Sequence, residues 1–179
     1  MLQTVELQTA PAPTASVVWL HGLGADGYDF VPVVRELEQL GAPPARYVFP
    51  HAPMRAVTIN NGMTMRAWYD ILGTELVRRE DETGVRQSQS QVEALLAREV
   101  ERGVPRQRIV LAGFSQGGAI TLHTGLRQTE PLAGLLALST YLPLAASLAA
   151  ERAPQSQDVP ILMAHGTQDP IIPLDRAVG

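Results

Sequence analysis

The chain has 179 residues, 45% of them apolar, and a formal net charge of −4, which predicts one globular domain with a sizeable core. It has no cysteine and no lysine, so all 14 Lys+Arg cations are arginines. A thiol nucleophile, a disulfide framework, Schiff-base chemistry and a Ser–Lys dyad are thereby excluded, and the interspersed charges form no basic stripe for nucleic acid.

The first residues, Met1 to Leu7, lack the basic and apolar regions of a signal peptide. No apolar run approaches the roughly 20 residues of a membrane-spanning helix, so the expected location is cytoplasmic. Thr4 to Gln8 alternates in polarity and predicts an edge strand. Ser16-Val17-Val18-Trp19-Leu20 is a short continuous apolar run ending at His21-Gly22, as buried parallel strands read. Apolar residues at 30, 33, 34, 37 and 40 predict a helix within 28–40, stopped by Gly41 and Pro43-Pro44. Arg46 to Phe49 predicts a strand, closed by Pro50. Residues 51 to 82 read as irregular, with a turn signal at Asn60-Asn61-Gly62.

Apolar positions 85, 92, 95, 96 and 100 predict a second long helix, ended by Gly103 and Pro105. A strand over 108–114, a helix from Gln116 to about Arg127, and strands at 132–138 and 160–164 follow. A last helix begins near Leu174. Strands alternating with helices predict an α/β fold: a mostly parallel sheet with helices on both faces.

Three constellations carry chemistry. Gly113-Phe114-Ser115-Gln116-Gly117-Gly118 places a G-x-S-x-G serine between a strand and a helix. That is a nucleophile elbow, a sharp turn that exposes the serine hydroxyl at a helix N-terminus. Leu20-His21-Gly22-Leu23-Gly24 ends another strand at the sheet edge where such folds bind ligands. A tetrahedral oxyanion needs two N–H donors; Gln116, after the serine, and Leu23 are the candidates. Asp169 follows a strand in His165-Gly166-Thr167-Gln168-Asp169-Pro170 and is the candidate triad acid. The chain order of such triads is Ser, acid, His. Only ten residues follow Asp169, and none is a histidine. His21 and His165 are expected to brace their glycine loops, and His123 to pack or face solvent. His51 opens the long loop, and nothing in the sequence orients it. The expectation is therefore a single domain over 1–179, C-terminally truncated, lacking a strand and a helix, with its catalytic histidine outside this chain.

These segments together resemble the carboxylesterase/acyl-protein thioesterase (phospholipase/carboxylesterase) family of α/β-hydrolases. The resemblance also rests on Phe49-Pro50-His51-Ala52-Pro53, Val57-Thr58-Ile59-Asn60, Trp68-Tyr69-Asp70-Ile71 and Ala137-Leu138-Ser139-Thr140-Tyr141-Leu142-Pro143. It implies an α/β-hydrolase fold and cofactor-free hydrolysis of carboxylic esters through a Ser115 acyl-enzyme. Asp169 would be the acid, and Leu23 and Gln116 the oxyanion donors. It also implies an apolar acyl channel along Thr58 to Leu72. Ile71, Tyr141 and Ile171 match channel positions, with Met63, Met65 and Trp68 as further candidates. The implied partner is a small-molecule ester or acyl thioester, with no nucleic acid and no integral membrane segment; a homodimer is compatible. Two alternatives stand beside the esterase: an acyl-protein thioesterase or lysophospholipase, and an inactive truncated remnant.

Overall fold

A computed structural model describes residues 1–73 and 80–178. The part of the expected irregular stretch that covers 74–79 lies outside the described residues. The main sheet has six strands: β1 (Thr4–Gln8), β2 (Ser16–Leu20), β3 (Arg46–Pro50), β6 (Ile109–Phe114), β7 (Gly134–Leu138) and β8 (Ile161–Ala164). A separate two-stranded hairpin pairs β4 (Met54–Val57) with β5 (Met63–Arg66). The helices are α1 (Val31–Gln39), α2 (Glu82–Glu101), α3 (Gln116–Gly125), α4 (Ala145–Glu151) and α5 (Leu174–Val178).

The strand order is β1-β3-β2-β6-β7-β8. Only β1 runs antiparallel, against β3, with Thr4 opposite Pro50 and Gln8 opposite Arg46. The chain steps outward from β2 to β3, then returns across β2 to place β6 on its other side. This reversal makes the crevice beyond the carboxyl ends of β2 and β6 the natural ligand site of the sheet. Leu20 pairs with Gly113 there, and the two glycine-rich loops leave the sheet side by side.

Alternation along each central strand divides the core into two layers. Val18, Leu20, Ile109 and Leu111 point into the layer that α2 and α3 cover. Trp19, Tyr47, Phe49 and Ala112 point into the other, with Val34 of α1. Every residue of α3 is buried, the condition of a helix enclosed on all sides. It packs on β6, β7 and α2, and Gly125 lets it close on Leu135. The helix α2 starts at an Asp81 cap, whose side chain accepts from Gly84 N at 2.9 Å.

At its other end, α2 is tied to the sheet through Glu99, which is fully buried. The carboxylate accepts from Ser16 Oγ at 2.6 Å, Arg46 Nη1 at 2.8 Å and Arg102 Nη1 at 2.9 Å. Glu6 of β1 joins the cluster through Arg98 and Arg102, at 2.7 and 2.9 Å.

The expected strands and helices all form, with ends shifted by a few residues. Two elements were not expected. The stretch 51–82 contains the β4–β5 hairpin, whose turn uses Asn61 and Gly62 at φ 55° and 74°. The helix α4 follows Leu144, itself at φ 51°.

Candidate active site

Ser115 stands between β6 and α3 with φ 52° and ψ −118°. Type II′ turns put their first central residue here and usually make it glycine; a β-carbon in this region is strained, and the surrounding structure imposes it. Its N–H donates to Leu138 O at 2.9 Å. Its carbonyl accepts from Ala119 N at 3.0 Å and from Thr140 Oγ1 at 2.7 Å. The flanking glycines are required by contact. A side chain at Gly113 would strike the Gly117 backbone, and one at Gly117 would strike the carbonyls of Leu20 and His21. The second glycine after the serine, Gly118, faces the Thr140 side chain.

The loop after β2 is braced by two histidines in defined tautomers. Ala52 N donates to His21 Nε2 at 3.0 Å, so the proton sits on Nδ1, which donates to Gly22 O at 2.7 Å. Burial holds the His21 ring below the usual imidazole pKa. His51 Nδ1 accepts from Gly27 N at 3.1 Å. His51 is thus oriented, but toward the loop backbone.

Asp169 lies beyond β8. Its Oδ1 accepts from Ile171 N at 2.8 Å and Ile172 N at 2.9 Å. The amides of Ile172 and Ile171 hold its carboxyl below the usual range, so it is ionised at neutral pH. His165 donates from Nε2 to Ile172 O at 2.8 Å. Its distance to Asp169 Oδ2 is 3.7 Å, beyond a hydrogen bond. His165 therefore braces the Asp169 loop.

Ser115 and Asp169 open on one cavity of about 240 Å³, lined also by Gly22, Leu23, Phe114, Ser139, Ile171 and Ile172. None of the four histidines lines it. His123 is fully buried on α3, where its Nε2 lies 3.0 Å from Gln89 Oε1. The expected channel residues are dispersed. Ile171 is 79% exposed at the cavity rim. Ile71 and Tyr141 line a neighbouring recess with Tyr69 and Arg176. Met65 packs near Gly24 of the β2 loop.

Trp68 corrects the expectation. It is fully buried, and its indole Nε1 donates to His21 O at 2.8 Å, so it presents no surface to a ligand. Sequence reading gave no role to Ser139, which lines the cavity, or to Thr140, whose hydroxyl donates to the Ser115 carbonyl. The signal was their place directly after β7, at the same sheet edge.

A mostly parallel sheet with a strained serine turn at its carboxyl edge defines an α/β-hydrolase. The phospholipase/carboxylesterase family model matches residues 3–178. Acyl-protein thioesterase 1 of Cryptococcus neoformans is 37% identical over 174 residues, covering 96% of this chain and 73% of that protein. Acyl-protein thioesterase 1 of Mycosarcoma maydis is 41% identical over 170 residues, covering 89% and 71%. Among solved structures, Arabidopsis thaliana SOBER1 superposes with TM-score 0.86 at 31% identity, covering 92% of this chain and 79% of that one. The chain belongs to the phospholipase/carboxylesterase family and is an ester hydrolase.

Proposed function

We propose that the chain cleaves carboxylic esters through a covalent acyl-Ser115 intermediate, with Asp169 as the triad acid and the amides of Leu23 and Gln116 as oxyanion donors. The observation that carries this reading is the shared cavity, with Ser115 in a strained elbow on one side and ionised Asp169 on the other. Attack of Ser115 Oγ on the acyl carbon forms one C–O bond and places negative charge on the carbonyl oxygen. Collapse expels the alcohol or thiol, and water then releases the acid. The proton shuttle is a histidine from outside residues 1–179, since all four present are held elsewhere. Asp169 would fix its tautomer and stabilise the imidazolium. No metal or cofactor enters the scheme.

Thioester hydrolysis is the second reading. It is favoured by the relatives named acyl-protein thioesterase 1. A matched pair of oxygen esters and thioesters of one acyl chain separates the two.

The direct test is an intact mass before and after a fluorophosphonate. In protein that contains the shuttle histidine, one adduct on the wild type and none on Ser115→Ala are expected. Labelling of Ser115→Ala, or inertness of a wild type that contains that histidine, overturns the scheme. Asp169→Asn should lower kcat by roughly 10⁴, through the wrong histidine tautomer.

A further inference from the structure

The two proposed oxyanion donors follow different strands. Leu23 follows β2 and Gln116 follows β6, and the last pairing between those strands is Leu20 with Gly113. Beyond it the sheet no longer sets their spacing. The segment Arg66–Tyr69 bridges the gap. Its Arg66 carbonyl accepts from Gly24 N at 2.9 Å. The Trp68 indole reaches His21 O on the same loop.

On the other side, both ends of the Gln116 carboxamide engage this segment. Oε1 accepts from Trp68 N at 2.7 Å, and Nε2 donates to Tyr69 O at 2.7 Å. Ser88 holds the Trp68 carbonyl from α2. Gln116 is 3% exposed and Trp68 is fully buried, so water does not compete for these bonds. A carboxamide both accepts and donates at this reach; a carboxylate only accepts, and a thioether of similar size offers no donor.

We infer that the Gln116 side chain is a positioning residue. It clamps Trp68–Tyr69 to the serine turn and thereby sets the distance between the Leu23 and Gln116 amides. The inference rests on the serine-hydrolase reading above. It assigns to the side chain a task separate from that of the backbone N–H. The clamped segment continues into Met65 on one side and Ile71 on the other, so these residues and the oxyanion donors share one rigid strip.

The test uses Gln116→Met and Gln116→Glu, both of which keep the backbone amide, in protein that contains the shuttle histidine. Steady-state hydrolysis of a p-nitrophenyl ester is measured beside inhibition by a trifluoromethyl ketone, which places its oxyanion in the hole. Binding of the free carboxylate product is the control for the ground state. Gln116→Met is expected to lower kcat about 100-fold, the effect of a displacement near 1 Å. Ketone affinity should fall in parallel, with KM and product binding within about 3-fold of wild type on the same scale. Gln116→Glu provides the rescue. A protonated carboxyl donates and accepts as the amide does, so the ratio of its activity to wild type should rise as pH falls. Wild-type kcat in Gln116→Met, or equal losses in ketone and product binding together with a flat Gln116→Glu ratio, overturns the inference alone. A wild type that contains the shuttle histidine yet is inert to both ester and ketone removes the serine-hydrolase reading, and the inference with it.

Discussion

Ser115 holds φ 52° and ψ −118°, a region that a β-carbon makes unfavourable by roughly 1–3 kcal/mol. Glycine enters it freely. Ser115→Gly is therefore expected to raise stability by about 1 kcal/mol over Ser115→Ala in urea unfolding, after allowing for the entropy of the added glycine. Equal midpoints for the two variants would show an unstrained turn. This residue was legible in sequence because its neighbours announce the turn: Gly113 and Gly117 are each required by a backbone contact. The place of Asp169 on the Ser115 cavity was legible because it follows a strand end. Trp68 was not, since an indole lining a channel and one buried against His21 look alike until the tertiary fold decides. The Gln116 side chain was equally silent: its partners lie 48 and 47 residues away in sequence.

Among the elements, α2 is tied to the sheet by Glu99 as well as by its buried Val92, Leu95 and Leu96. The carboxylate meets Ser16 on β2, Arg46 on β3 and Arg102 on its own helix. Removing one partner of a buried ion pair leaves the other uncompensated. Glu99→Gln is expected to cost about 3–5 kcal/mol, read as a lower urea midpoint. A midpoint near wild type would mean that Arg46 finds water instead. The long helices were legible from periodicity, which survives without knowledge of neighbours. The β4–β5 hairpin was not. Its strands are four residues each and half their residues are exposed, so the alternation of Met63-Thr64-Met65-Arg66 is too short to stand out from its surroundings. Only the turn at Asn61-Gly62 signalled it, and a turn alone does not fix what it joins. The helix α4 escaped for a related reason: it is seven residues long, with no buried side chain to impose a period.

Across the whole molecule, acid should loosen the fold before the carboxylates titrate. Burial, followed by the nearby Arg127, lowers the His123 pKa from 6.5 to about 4. The unfolded chain therefore binds a proton between those values that the folded chain refuses. Stability is fully present above pH 6.5 and declines as pH falls toward 4, by about 3 kcal/mol in all. His21, lowered by burial, adds a loss of the same sign. Glu151, held down to about 2 by Arg86 and then Arg127, loses its contribution only below its ordinary value of 4.5. Urea midpoints at pH 7 and pH 5 thus isolate the histidines, and His123→Gln should flatten that slope. An unchanged slope would assign it elsewhere. The fold class was legible in the alternation of strands and helices. The order β1-β3-β2-β6-β7-β8 was not, because each pairing joins segments distant along the chain, and side-chain periodicity carries no record of which strand lies alongside.

The hairpin is paired only with itself and stands outside the six-stranded sheet. Its tip, Thr58 to Asn61, is anchored at the base by Asp70, which accepts from Thr58 N and Oγ1 at 2.7 and 2.6 Å. Asn61, at φ 55°, sets the turn and with it the β4–β5 register, which leaves Ile59 and Asn60 as the tip positions that can change without altering the pairing. Mutation can thus sample new tips at Ile59 and Asn60 while the six-stranded sheet that carries the serine turn is inherited intact.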